Sequence, residues 1–156
     1  MLSTPLDADA ASFCPLHLSD VEAVLRIEQT AYAHPWTRAN FVDTLNSGYQ
    51  AQMLVHEASI IGYYVAMHGV DEVHLLNITV APAHQGQGWS VRIMQAMHDW
   101  ARGLSAQWSW LEVRLSNVRA IGLYQRLGYS QVGRRNHYYP AGQSRREDAL
   151  VMSLQL

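Results

Sequence analysis

The chain has 156 residues, 49% of them apolar, and a formal net charge of −2 at pH 7. This length suits one domain with a substantial core. The near-neutral charge argues against intrinsic disorder and against a broad electrostatic surface for nucleic acid. We therefore predict a single domain over residues 1–156 that acts on a small molecule or a peptide.

Residue usage narrows the chemistry further. All eleven basic residues are arginine, which excludes a lysine Schiff base and a P-loop lysine. Cys14 is the only cysteine, so neither an internal disulfide nor a thiolate metal cluster is expected. The eight histidines lack metal-ligand spacing, and no metal is expected. Without a signal peptide or a long apolar run, the protein is predicted to be cytoplasmic, with no membrane partner.

The chain begins with small and polar residues, and we predict a loose tail over residues 1–10. A short strand should follow at residues 12–16. Ser19 and Glu22 have the spacing of a capping box. The apolar residues after them recur at helical spacing, which predicts a first helix that runs to about Tyr32.

A second helix and three strands are predicted next. Thr37 is placed to cap a short helix that ends at Gly48. From there the pattern changes to period two, with β-branched and aromatic residues. It predicts strands at residues 51–56, 60–68 and 73–80.

The last third of the chain alternates again between strand and helix patterns. Residues 107–114 predict a strand, 117–127 a short helix, and 129–135 and 148–154 two more strands. Helices interleaved among strands in this way indicate a mixed α/β sheet.

A glycine-bearing turn lies between the strand ending at Val80 and a long helix. The apolar run breaks at Pro82, and Gly86 and Gly88 follow. Glycine lets a ligand approach the backbone, and the first N–H groups of a helix can bind an anion. The stretch therefore predicts a phosphate or pyrophosphate cradle. Its helix is predicted from apolar residues at helical spacing, namely Ile93, Met94, Met97, Trp100 and Ala101.

Other interpretations of the glycine pair are open at this point. Two glycines between a strand and a helix are compatible with ordinary turn chemistry. They also half-fit a dinucleotide fingerprint, because Gly86-x-Gly88 is followed by Val91 where a third glycine belongs. Glu112 ends a later strand, about where a ribose-binding acid would be needed. A dinucleotide-binding fold is therefore an alternative.

The same residues resemble the acyl-CoA motif of the GNAT N-acetyltransferases. Gln85-x-x-Gly88-x-Ser90, preceded by Asn77–Pro82, is similar to the pattern Q/R-x-x-G-x-G/A. Ser90 stands where Gly or Ala is usual, and Val91 where a basic residue is common. The order of predicted elements also resembles that family along nearly the whole chain. This resemblance implies the GNAT fold, a mixed central sheet flanked by helices.

A carboxylate and a tyrosine form a second candidate pair. Glu112 lies in the predicted strand Leu111–Arg114, and Tyr124 lies in the helix predicted after Asn117. Taken singly, Glu112 is compatible with a surface acid and Tyr124 with an aromatic at the edge of the core. Together with the glycine loop, they become a candidate site.

Further blocks resemble the RimI-type branch of the family, whose bacterial enzymes acetylate the N-terminal alanine of a small-subunit ribosomal protein. These blocks are His34–Thr37, Leu76–Ile78, Leu111–Arg114, Asn136–Pro140 and Arg146–Ala149. The resemblance implies that Glu112 is the proton acceptor and Tyr124 the proton donor. It also implies acetyl-CoA contacts at Ile78, Thr79, Val80, Gln85, Gly86, Gln87, Gly88, Trp89, Ser90, Val91 and Asn117.

We therefore expect transfer of acetyl from acetyl-CoA, the co-substrate, to the N-terminal α-amine of a protein. The expected partner is a ribosomal protein, with no direct contact to nucleic acid. His34–Thr37 and a loop at Tyr138–Pro140 are expected to flank the peptide. The alternatives are a GNAT enzyme that acts on a small-molecule or lysine amine, and a non-catalytic CoA- or dinucleotide-binding module.

Overall fold

The computed structural model describes residues 10–156, so the predicted tail lies almost entirely outside the described residues. The strands are β1 (Ser12–Pro15), β2 (Gln50–His56), β3 (Ser59–His68), β4 (Glu72–Val80), β5 (Trp108–Arg114), β6 (Ser130–Pro140) and β7 (Arg146–Gln155). The α-helices in this part of the chain are α1 (Val21–Ala31), α2 (Arg38–Asn46), α3 (Trp89–Gly103) and α4 (Val118–Arg126). Two short 3-10 helices cover Leu18–Asp20 and Pro82–His84.

The strands form one seven-stranded sheet in the order β1-β2-β3-β4-β5-β7-β6. β4 and β5 are parallel, whereas the pairs β1–β2, β5–β7 and β6–β7 are antiparallel. The sheet is therefore mixed, and the predicted mixed α/β class is confirmed. A dinucleotide-binding fold would need a mostly parallel sheet, so that alternative is wrong for this chain.

The chain divides into two compact units. The first contains residues up to Val65 together with Asn77–Met94, and the second contains Ala66–Leu76 and Gln95–Leu156. The predicted single domain over residues 1–156 stays a prediction. Fully buried side chains of the first unit include Tyr63, Phe41, Leu54, Ile61 and Ile93. Those of the second include Met97, Leu111 and Met152.

The helices form where the apolar spacing predicts them. In α1, Val21, Val24 and Leu25 lie on the buried face. In α3, Ile93, Met94, Met97 and Ala101 are fully buried, and Trp100 is half-buried. No helix within residues 10–156 has the length and apolar content that a membrane crossing requires.

The capping residues differ partly from the prediction. The capping box expected at Ser19 and Glu22 is wrong, because a 3-10 turn precedes α1 and shifts the box to His17 and Asp20. The His17 N–H donates to Asp20 Oδ2 over 2.9 Å. Thr37 caps α2 as predicted, since its Oγ1 accepts from the Asn40 N–H.

The Tyr138–Pro140 segment is not a loop, and that prediction is wrong. It forms the end of β6, where Tyr139 pairs with Glu147 of β7. The period-two pattern is interrupted before it, because the β6–β7 register shifts between Arg135 and Tyr139 and His137 has φ 52°. This bulge hides the continuation of the strand from a reading of the sequence.

Candidate active site

The glycine loop, residues 81–88 between β4 and α3, lies in the first unit. Gly86 and Gly88 have φ values of 76° and 84°, a region that side chains disfavour. Residues 85–88 are all exposed. The Gln85 amide folds back and donates to the Val80 carbonyl over 3.1 Å. The loop therefore presents open backbone at the N-terminal end of α3, as an anion cradle requires.

The first turn of α3 is anchored by Trp89. Its ring is buried, with 6% of the residue exposed, and its indole N–H donates to Gln87 Oε1 over 3.1 Å. The guanidinium of Arg92 lies 5.7 Å from the centroid of the Trp89 ring and donates to the Ala11 carbonyl over 2.7 Å. Ser90 and Val91 are half-buried. The predicted cofactor-binding residues 85–91 therefore occupy the end of the glycine loop and the first turn of α3.

The end of β4 is fixed from the side of α1. Tyr32 donates its hydroxyl proton to the Ile78 carbonyl over 2.7 Å. Burial raises the pKa of Tyr32 to about 12, so this phenol stays protonated. The Thr79 hydroxyl lies 3.1 Å from Tyr32 Oη and donates to Asn77 Oδ1 over 2.8 Å. The strand Ile78–Val80 is therefore held by side-chain bonds as well as by its place in the sheet.

A buried carboxylate lies at the centre of these bonds. Glu28 is only 2% exposed. Its Oε1 accepts from the Trp36 backbone N–H at 3.2 Å and from the Asn77 amide at 3.1 Å, and its Oε2 accepts from the Tyr63 hydroxyl. All three of these donors are uncharged groups. Glu28 forms no salt bridge within residues 10–156. Glu28 thus ties α1, β3, β4 and the segment after α1 together.

Glu28 was not predicted as a site residue. Its signal in the sequence is a carboxylate at an apolar position of the α1 pattern, together with Asn77 and Thr79 at buried positions of a β-branched strand. A buried charge needs several hydrogen bonds, and these polar residues supply them. Tyr63, Asn77 and Thr79 lie 35, 49 and 51 residues from Glu28 along the chain. No local sequence pattern reveals contacts over such separations.

Replacing Glu28 with leucine is expected to lower the free energy of unfolding by about 3 kcal/mol, because several buried donors lose their acceptor. Glu28→Gln keeps an acceptor oxygen and should lose less. Urea denaturation followed by tryptophan fluorescence measures both changes. Glu22→Leu on the exposed face of the same helix is the matched control, and a loss as small as the control's would contradict this role of Glu28.

Glu112 is a predicted site residue of the second unit, and its carboxylate contacts side chains from two other strands. It lies on β5 with 8% of its side chain exposed. Its Oε2 is hydrogen-bonded to Nε2 of His74 on β4, and its Oε1 lies 3.2 Å from Nε of Arg135 on β6. Burial alone would raise the pKa of Glu112, but His74 and Arg135 together hold this pKa below its ordinary value. Glu112 is therefore an ionised carboxylate at neutral pH, not a surface acid.

Two aromatic residues of β6 lie beside this cluster. The Arg135 guanidinium lies 5.4 Å from the centroid of the Tyr138 ring, and the Arg114 guanidinium lies 4.5 Å from that of Tyr139. Burial, helped by the charges of Tyr138 and Glu112, raises the pKa of Tyr139. His74, Arg135 and Arg114 were not predicted, because their contacts join separate strands.

Tyr124 lies on α4 and is buried, with 6% of its surface exposed. Its ring meets that of Tyr129 edge to face, with the centroids 5.8 Å apart. The Tyr129 hydroxyl is bonded in turn to Ser109 at 2.6 Å and to His98 at 2.7 Å. Burial lowers the pKa of His98 to about 4, so this imidazole is neutral. Tyr124 thus rests against a neutral, fully bonded polar cluster.

Asn117 has a structural role that accounts for it without a ligand. It is the N-cap of α4, and its Oδ1 accepts from the Ala120 N–H over 3.2 Å.

The predicted site residues lie in both units. Glu112, Tyr124 and Asn117 belong to the second unit, and the other predicted site residues belong to the first. In the described part of the chain, no group of three or more His, Cys, Asp or Glu side chains is arranged to hold a metal ion.

The comparison with known proteins agrees with these features. Residues 21–129 match the Acetyltransferase (GNAT) family. The chain is 34% identical over 139 residues to the ribosomal protein bS18-alanine N-acetyltransferase of Escherichia coli, covering 89% of this chain and 93% of that relative.

Solved structures give the same result. The crystal structure of the ribosomal-protein alanine N-acetyltransferase from Escherichia coli superposes with a TM-score of 0.86 at 32% identity, covering 93% of each chain. A protein from Salmonella typhimurium, solved with its cofactor acetyl-CoA, shares the fold with a TM-score of 0.75 at 19% identity, covering 94% of each chain. The chain therefore belongs to the GNAT acetyltransferase family.

Proposed function

We propose that this protein transfers the acetyl group of acetyl-CoA to the N-terminal α-amine of a protein, and that this amine belongs to the N-terminal alanine of a small-subunit ribosomal protein. The observation that carries the proposal is the similarity to an alanine N-acetyltransferase, which extends over 89% of the chain and 93% of that enzyme. An aligned length of 139 residues is long enough to include residues of both units.

The glycine loop is the proposed binding site for the pyrophosphate of acetyl-CoA. Its exposed backbone and the N-terminal end of α3 supply N–H donors and a favourable helix dipole for an anion. We assign this contact to Gln85, Gly86, Gln87, Gly88, Trp89, Ser90 and Val91. Ile78, Thr79 and Val80 of β4, with Asn117, complete the proposed acetyl-CoA contacts.

Glu112 is the proposed proton acceptor. An α-amine has a pKa of about 8, so its free form at pH 7 costs only about 1.4 kcal/mol, whereas a lysine near 10.4 would cost about 4.6 kcal/mol. A carboxylate that is ionised at neutral pH can attract the ammonium group and act on it as a general base. The low pKa of Glu112 keeps this carboxylate ionised at neutral pH, where it can interact with the ammonium group.

Tyr124 is the proposed proton donor to the leaving thiolate of CoA. A phenol near pKa 10 gives its proton to a thiolate near 8.5 at an uphill cost of about 2 kcal/mol. Proton transfer in concert with cleavage of the carbon–sulfur bond would remove most of this cost. The buried ring of Tyr124 and its contact with Tyr129 support a fixed donor.

Gly88→Val is expected to raise the KM for acetyl-CoA about tenfold or more, because a β-branched residue is strained at φ 84° and covers the open backbone. Gly48→Val is the matched control, since Gly48 has φ 75° and equally open surroundings at the end of α2. Steady-state kinetics on both folded variants separate backbone strain from ligand contact. Equal KM values for the two variants would contradict the cradle.

Two measurements test the proposal against its alternatives. Acetyl-CoA, but not NAD, should raise the melting temperature of the protein, because a ligand stabilises the state that binds it. Mass spectrometry of unacetylated ribosomal proteins, incubated with acetyl-CoA and with or without this protein, should show a new acetyl group at an N-terminal alanine. An unchanged acetylation state at every N-terminal alanine would remove this substrate.

A further inference from the structure

The Glu112 carboxylate is bonded on both oxygens. Nε2 of His74 meets Oε2, and Nε of Arg135 lies 3.2 Å from Oε1. Both partners favour the ionised form, and they outweigh the effect of burial on the pKa of Glu112. A carboxylate stabilised in this way holds a proton poorly.

Proton transfer from an α-ammonium group to such a carboxylate is strongly uphill. With ordinary pKa values of about 8 and 4.3, the equilibrium lies about 5,000-fold toward the ammonium, and a lowered carboxylate pKa makes it worse. An ordinary imidazole, at about 6.5, faces a deficit of only about 30-fold. A neighbouring imidazole is therefore the better resting place for the proton.

His74 supplies this imidazole from the adjacent strand. It pairs in register with Trp110 of β5, two residues before Glu112. When Nε2 carries a proton and donates it to Glu112, Nδ1 is left as the basic nitrogen. Among residues 10–156 His74 has no second hydrogen-bond partner, and 26% of its side chain is exposed, whereas Glu112 is 8% exposed. The free nitrogen is thus on the more accessible member of the pair.

We propose that Glu112 and His74 accept the amine proton as one unit, with His74 as the residue on which the proton comes to rest. The inference rests on the proposed function and extends it to a residue outside the predicted site. In the step, an N–H bond of the acceptor ammonium breaks and an N–H bond at His74 Nδ1 forms. Glu112 stays a carboxylate, holds the ring through Nε2 and stabilises the imidazolium.

The charges around the pair favour this assignment. Arg135 from β6 faces the other oxygen of Glu112 and favours the ionised form of this carboxylate. Tyr139, also on β6, has a raised pKa and stays neutral. The imidazole of His74 is therefore the group of the pair with a basic nitrogen left to take a proton.

His74→Gln tests the inference, because the glutamine amide can still donate to Glu112 but has no basic nitrogen. With an alanine-starting peptide at pH 7, kcat should fall at least about tenfold while the KM for acetyl-CoA stays unchanged. His56→Gln, at the end of β2, is the matched control and should keep the wild-type kcat. A wild-type kcat for His74→Gln would overturn the inference.

Two further arms separate this inference from the proposed function. Stabilisation by acetyl-CoA checks the fold of the variant, and His74→Asn carries the test if His74→Gln does not fold. Added imidazole should restore part of the kcat of His74→Gly, and no restoration would contradict proton acceptance by the ring. A wild-type protein that acetylates no α-amine would overturn the proposed function and this inference together, whereas full activity of wild type and His74→Gln overturns this inference alone.

Discussion

Tyr124→Phe is expected to lower turnover by about tenfold to a thousandfold, with little change in acetyl-CoA binding. The substitution removes one hydroxyl and keeps the ring that packs edge to face on Tyr129. The Tyr124 carbonyl still accepts from the N–H groups of Leu127 and Tyr129, at 3.1 and 2.9 Å. The helix end and its packing should therefore survive, so that the loss reports on the proton.

The measurement is kcat with an alanine-starting peptide, beside the dissociation constant of acetyl-CoA. Tyr64→Phe provides a matched control, because Tyr64 is also a buried tyrosine and its hydroxyl accepts a 3.3 Å bond from Gln50. The control should turn over at nearly the wild-type rate. If Tyr124→Phe lost binding and turnover in equal measure, Tyr124 would be a positioning residue for CoA and not the acid.

Glu112→Gln is expected to reduce activity about a hundredfold or more near pH 7 and to recover part of it above about pH 8. Near neutral pH the α-amine is mostly protonated, and the amide of glutamine neither accepts its proton nor stabilises a neighbouring imidazolium. At higher pH the amine is already free, so the loss should shrink. The low pKa of Glu112 means that the wild-type carboxylate stays ionised throughout this range.

The profile of kcat/KM from about pH 6.5 to 9.5, which brackets the α-amine pKa, checks this expectation. Glu147→Gln is the control, because Glu147 is a carboxylate of the same unit that lies 3.7 Å from Arg114. It should follow the wild-type profile. A defect of constant size across the range would instead assign Glu112 to substrate positioning.

The elements were predictable because their signals are local. Period-two runs of β-branched residues and the 3.6-residue spacing of Ile93, Met94 and Met97 specify the strands and α3 to within a few residues, except at the end of β6, where the bulge interrupts the pattern. The predicted N-cap at Thr37 is confirmed for the same reason, since it depends on bonds within one turn. The box at Ser19 failed because an equally local alternative, His17 with Asp20, lies two residues earlier.

The surroundings of the site were not predictable from local pattern. The sequence singled out Glu112, but its partner His74 lies 38 residues earlier in the chain. Its other partner, Arg135, lies on β6, which is separated from β5 by β7 in the sheet. Glu28 occupies an apolar position in α1, and its donors come from the segment just after α1 and from the distant strands β3 and β4. Contacts of this kind depend on which elements the fold brings together, and a local periodic pattern does not specify that.

The most direct test of the central claim uses purified protein, acetyl-CoA and two peptides. One begins with alanine, has a free α-amine and contains no lysine, and the other has the same sequence with a blocked N-terminus and one internal lysine. Tandem mass spectrometry locates any acetyl group. Acetyl-alanine on the first peptide, with the second unmodified, is the predicted result, and acetylation of the lysine peptide alone, or of neither, would contradict the claim.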